Sequence, residues 1–190
     1  GWPSYTTGGM QAGGHLITND AYSSYGIGLN LGTADAFFGG AQIANNDYDF
    51  VDESGMFIAG SGGYQMRPAK AGFQISAVVS LAFGMGPDDI GGTGTHMWVG
   101  QFSGGALIGM VAHKTPVFQF IPTGGLSIVN YKLEIDGPLG SGEESDTFVS
   151  LDLGAGLVFH SVWTIRPMLS LPFGDDGREE SLTLGVGYNF

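Results

Sequence analysis

The strongest constraint on the fold of this chain is an alternation of large apolar with small polar side chains, repeated in segment after segment. Over residues 181–190 it runs without an error. Leu182, Leu184, Val186, Tyr188 and Phe190 fall on one side, and Ser181, Thr183, Gly185, Gly187 and Asn189 on the other. Val149, Leu151, Leu153, Ala155, Leu157 and Phe159 make a second such row, and Phe73, Ile75, Ala77, Val79, Leu81 and Phe83 a third. Successive side chains of an extended strand point to opposite faces, so a period of two means strands with one apolar face. No segment sustains a helical period, and the chain is predicted to be all-β.

Alternation alone does not say which face meets water, because soluble barrels also alternate, with the apolar row inward. The polar row decides. Here it is Gly, Ser, Ala, Gln and Asn, and few charges (Lys132, Glu134, Asp152, Arg166) fall inside any strand. Charged residues make up only 13% of the chain, while glycine takes 35 of 190 positions. Small polar residues suit the crowded interior of a narrow barrel, and large apolar ones suit lipid contact. No apolar run approaches the ~20 residues of a membrane-spanning helix. Strands cross a bilayer only as a closed barrel, because lipid offers unpaired backbone groups no partner. The expected fold is an up-and-down antiparallel transmembrane β-barrel.

Strands are predicted near 22–33, 36–44, 56–67, 71–85, 97–112, 117–134, 147–160, 162–174 and 180–190. Residues 22–44 as one long strand would give eight strands but would aim Thr33 and Asp35 at lipid. A turn at Thr33 to Asp35 avoids this, and an even strand number then requires another strand at about 4–17. Ten strands are therefore preferred, with eight as the alternative. The whole chain, 1–190, is expected to form one barrel domain, with 1–21 either its first strand or a periplasmic tail.

Tight connections at 67–70, 113–116 and near Ser161 alternate with longer ones at 45–55, 84–95, 136–146 and 174–180, as in outer-membrane barrels. Most of the 18 acidic residues fall in the longer set, whereas Arg67, Lys70 and Lys114 sit at short turns. The net charge of −12 argues against nucleic acid as a partner. Absence of cysteine excludes disulfides and thiolate metal sites. Gly1, Trp2 and Pro3 show no basic n-region or apolar h-region, as expected of a mature form whose signal has been removed.

The closing segment carries more than a period. A polar Thr183, then Gly185, Tyr188 and a terminal Phe190 stand at a spacing that resembles the C-terminal assembly signal of outer-membrane β-barrels. In size and layout, residues 22–190 resemble the small outer-membrane barrel superfamily of the OmpA and OmpX type. That resemblance implies a bacterial outer-membrane location, insertion by the barrel-assembly machinery, and both termini on the periplasmic side. It implies no particular activity. Aromatics fit the same placement, with Trp98 and Phe102 near one end of their strand and Phe118, Phe159 and Trp163 near turns at the other.

A barrel of eight to ten strands is expected to be filled by side chains, so inward charges must find partners. Asp152 and Arg166 both face inward on adjacent strands and are expected to form a structural ion pair in the lumen. Pro122, Pro167 and Pro172 fall inside predicted strands, which calls for local bulges or shorter strands.

His15, His96, His113 and His160 show no metal-ligand spacing, and neither a metal nor a cofactor is expected. His160 beside Ser161 resembles the nucleophile pair of a lipid A deacylase, but adjacent strand residues point to opposite faces. Asp47, Asp49, Asp88, Asp89 and His96 lie in loops where the omptin proteases, which a ten-stranded barrel resembles, place their catalytic residues. No Asp-x-His unit is present, and no catalytic residue is assigned. The leading expectation is a non-enzymatic barrel with a structural or surface-interaction role. Its partners would be outer-membrane lipid, lipopolysaccharide or another envelope protein, met through acidic extracellular loops. The alternatives are an outer-membrane hydrolase of lipid or peptide and a narrow small-solute channel.

Overall fold

The computed structural model describes residues 9–33, 36–49, 53–66, 73–87, 90–138, 140–174 and 179–190. The strands are β1 (Gly9–Thr18), β2 (Tyr22–Gly32), β3 (Phe37–Tyr48), β4 (Ser54–Met66), β5 (Phe73–Met85) and β6 (His96–Met110). They continue as β7 (His113–Lys114), β8 (Phe118–Gly137), β9 (Gly140–Phe159), β10 (Trp163–Phe173) and β11 (Ser181–Asn189). All pairings are antiparallel. β6 pairs with β8, β11 pairs with β1, and ten strands close a barrel. The two-residue β7 only folds back on β8. The ten-strand expectation is met and the eight-strand alternative falls.

The predicted first strand is present as β1, its expected residues 4–8 lying outside the described ones. The separation of β2 from β3 is built by Thr33, whose hydroxyl accepts the Phe37 N–H at 3.2 Å, and by Ala36 at φ 72°. His160 and Ser161, at φ 51° and 59°, are the central pair of the β9–β10 hairpin, closed by Val162 N–H to the Phe159 carbonyl at 3.0 Å. Positive φ at both central positions is the geometry that matches the right-handed twist of the flanking strands.

The apolar row faces outward all round the barrel. Ile27 is 68% exposed, Phe83 66% and Ile128 60%, values that in water would be a severe liability. Small or polar residues such as Gln11, Ser24, Ser76 and Ser150 are buried on the other face. Among the described residues no helix is long and apolar enough to cross a membrane. Aromatic contacts line the short-turn rim, with Phe37 on Tyr64 at 4.9 Å, Phe118 on Phe159 at 5.3 Å, Trp163 on Tyr188 at 5.0 Å and Tyr188 on Phe190 at 5.6 Å. Rings at this height form the girdle expected at a membrane interface. Trp98, 52% exposed, sits at the opposite end of β6.

Pro167 and Pro172 need no bulge, whereas Pro122 stands beside one, because the β6–β8 register of Gly109 opposite Thr123 gains one residue before His113 opposite Phe120. The β9–β10 ladder omits Arg166 and Pro167, then resumes in the same register at Met168 opposite Gly154. Pro172, an odd number of residues further, turns its nitrogen to the other neighbour, and the β10–β11 ladder has already ended at Ser170. Pro122 lies between the end of the β6–β8 ladder at Thr123 and the β7–β8 contact at Phe120. Each missing N–H thus falls at an interruption of the sheet.

One expected loop is corrected. Residues 136–146 are not an open connection, because β8 and β9 stay paired up to Gly137 opposite Gly140. Glu134 and Glu143 stand directly opposite and would repel, but Lys132 bridges both, at 2.5 and 3.2 Å. β3 likewise runs on through Asp47 to Tyr48.

Candidate functional site: the lumen and its open end

The lumen divides into two halves. Toward the short turns it is packed. Ile121 is fully buried there, with Gln65, Ser76, Thr123 and Thr164 buried beside it. Gln11 is the hub of a polar network at this end. Its Nε2 donates to Asn189 Oδ1 at 2.7 Å and to Thr164 Oγ1 at 3.4 Å, and its Oε1 accepts from Arg166 Nη2 at 2.7 Å. Asn189 Nδ2 donates to Thr164 Oγ1 and to the Ser161 carbonyl, both at 3.3 Å. Gln65 donates to Gln74 in the same layer. Gly187 makes room for the hub, since a Cβ there would stand 2.7 Å from Gln11 Cδ. Buried polar groups tied to one another in this way fix a rigid plug.

Toward the longer connections the lumen holds a cavity of about 600 Å³. On β1 its wall begins at His15, above Gln11. On β10 it takes in Met168, Ser170 and Pro172 but not Arg166, and on β8 it runs from Ser127 to Leu133. The lumen is therefore only half filled, which corrects the expectation of a lumen filled throughout. The cause lies in the inward residues of the upper half, where Gly28, Gly40, Ala59, Ser61 and Ser103 are too small to meet across the barrel.

Asp152 and Arg166 face inward as predicted, but they are not brought together. Asp152 stands opposite Ser170 and accepts from Ser170 Oγ at 2.7 Å and Ser150 Oγ at 3.3 Å. Arg166 lies four residues away, roughly 13 Å along the strand, and donates to Gln11. The expected lumen ion pair is replaced by two separate sites. Of the predicted assembly residues, Thr183 and Gly185 lie on the inward face of β11, while Tyr188 (41% exposed) and Phe190 (63%) face outward. The backbone of Phe190 pairs with Met10, extending the β11–β1 seam.

Those of the residues considered for hydrolysis that the structure describes are dispersed. His96 opens β6 opposite Asp136, with β4 and β5 between it and Asp47 on β3, while His160 and Ser161 occupy a turn at the other end of the barrel. Asp88 and Asp89 lie outside the described residues. Among the described residues no three His, Asp or Glu side chains are grouped to hold a metal ion. Acidic side chains gather at the open end. Asp20, Asp47, Asp49, Glu53, Glu134, Asp136, Glu143, Glu144, Glu179 and Glu180 all fall at the connections or strand ends on that side.

No protein-family model and no curated protein sequence matches the chain. Solved structures do. Ail, the attachment invasion locus protein of Yersinia pestis, superposes with a TM-score of 0.51 at 14% identity, covering 97% of this chain and 100% of that one. The translocator domain of the autotransporter NalP from Neisseria meningitidis gives a TM-score of 0.54 at 15% identity, covering 98% and 90%. At such identity the likeness is one of fold. Closed antiparallel strands, an outward apolar belt and an aromatic rim make this chain a small β-barrel of the bacterial outer membrane.

Proposed function

We propose that the protein is a non-enzymatic outer-membrane barrel with a structural or surface-interaction role, its acidic rim outside the cell and its plugged half toward the periplasm. The observation that carries this is the division of the lumen. The Gln11 network and Ile121 occupy the end that carries the β9–β10 hairpin and Phe190, while the acidic side chains collect at the other. A plugged barrel offers solutes no continuous path, and among the described residues the histidines and carboxylates considered for hydrolysis stand on separate strands and turns. A carboxylate rim would meet lipopolysaccharide through divalent cations, or a partner envelope protein through a basic surface. Lipid surrounds the belt, and the barrel-assembly machinery acts on β11 during insertion.

Single-channel recording in planar bilayers tests the reading. The folded protein should give no stepwise conductance across the range of voltages a bilayer withstands. Regular ohmic steps from the folded, purified barrel would overturn it in favour of a small-solute channel.

A further inference from the structure

The cavity in the upper lumen has a chemistry that neither a structural nor a surface role uses. About 600 Å³ is well within the range of small-molecule sites. Its charged lining is one-sided, because Asp152 and Glu179 contribute carboxylates and no lysine or arginine is among the described residues that line it. Asp152 has two serine donors, both on Oδ1. A carboxylate held away from bulk water with only neutral donors favours a cation beside it. Two further atoms of the cavity lining are buried with no hydrogen-bond partner, Asn46 Oδ1 on β3, across the barrel from Asp152, and His15 Nε2 on β1. Asn46 is itself only 8% exposed. An amide oxygen is an acceptor, so what would complete it is a donor.

Aromatic rings stand nearer the mouth. Tyr22 and Tyr48 pack at 6.1 Å, and Tyr131 and Phe148 line the same space. Ring faces attract organic cations that have shed part of their water. The carboxylates around the open end would draw cations toward the mouth and repel anions.

We infer that the upper lumen is a binding site for a small organic ammonium ion, its charge held by the Asp152 carboxylate and its body against the tyrosines. The site needs no path through the barrel and is independent of what the outer rim meets. The three features act in sequence: the rim concentrates cations, the rings desolvate the body, and Asp152 takes the N–H donors, with Asn46 facing the space from the opposite side.

Titration calorimetry on the full barrel refolded in detergent tests this, with putrescine as probe and maltose and glutarate as neutral and anionic controls in constant potassium chloride. Saturable heat is expected from putrescine alone. Asp152→Asn should weaken binding about tenfold or more, whereas Glu143→Gln, at the rim and outside the cavity, should change it by less than about twofold. Gln101→Lys, which adds a cation to the wall without touching Asp152, should abolish binding and serves if Asp152→Asn fails to fold. No saturable binding of putrescine, stronger binding of maltose, or affinity unchanged in Asp152→Asn or Gln101→Lys would overturn the inference.

Discussion

Gln11 is half-way between a core residue and a polar staple. Its side chain crosses β11 to reach Thr164 and Arg166 on β10, and it can do so only over Gly187, the residue of β11 that carries no Cβ in its path. The neighbouring inward glycine, Gly185, has no such duty, since a Cβ there would meet Arg166 Cβ at an ordinary 3.7 Å. Two apparently equivalent substitutions should therefore differ. Gly187→Ala should push Gln11 from its three partners and lower stability by about 1–3 kcal/mol, the cost of orphaning buried polar groups. Gly185→Ala should change it by less than about 0.5 kcal/mol. Urea unfolding of both variants in lipid vesicles, followed by tryptophan fluorescence, gives the comparison. Equal midpoints would mean that Gln11 re-forms its bonds elsewhere. The same residues show where the sequence stops being informative. The inward direction of Asp152, Arg166 and Gln11 follows from parity alone. Which of them meet depends on register around the closed barrel, and a shift of four residues sends Arg166 to Gln11 and Asp152 to two serines.

Strands were legible wherever one face met lipid, because there the alternation is forced by two different solvents. β11, β9 within the belt and β5 were read almost to their ends. The distal parts of β8 and β9 were not, since Glu134, Glu143 and Glu144 lie beyond the lipid and both faces of the hairpin tolerate polar residues. Paired backbone and the Lys132 bridge keep that extension ordered without an apolar signature. The upper cavity was invisible for a related reason, because a row of small inward residues looks the same whether the barrel is filled or hollow. β11 carries a second message, in its outward aromatics. Tyr188 touches Phe190, just past the end of its own strand, and Trp163 on β10, the second a contact that forms only once the two strands have paired. If they also serve as the assembly signal, Tyr188→Ser combined with Phe190→Ser should cut the amount of folded protein in cell outer membranes by about tenfold or more. Refolding from urea into detergent needs no assembly machinery, and the loss there should stay within about 1–2 kcal/mol, the worth of such exposed ring pairs. Equal losses in both measurements would assign the two rings to stability alone.

At the scale of the whole molecule the barrel is polarised. One end has a polar plug, an aromatic girdle, short turns and Lys114, and the other has an open cavity, long paired strands and the acidic side chains. Insertion from the periplasm would leave the Lys114 end on the side of entry, since the long charged β8–β9 hairpin must be drawn through and then cannot return across hydrocarbon. The acidic end is therefore expected outside. The orientation can be read directly, because the chain contains no cysteine and any introduced thiol is unique. Glu143 and Lys114 are both exposed and lie at opposite ends. In intact cells a bulky polyethylene-glycol maleimide should modify the Glu143→Cys variant promptly and leave the Lys114→Cys variant unmodified until the outer membrane is permeabilised. Labelling in the reverse order would place the acidic rim in the periplasm. The upper cavity would then open toward the cell interior, and Asp152 would meet cations arriving from the periplasm rather than from outside.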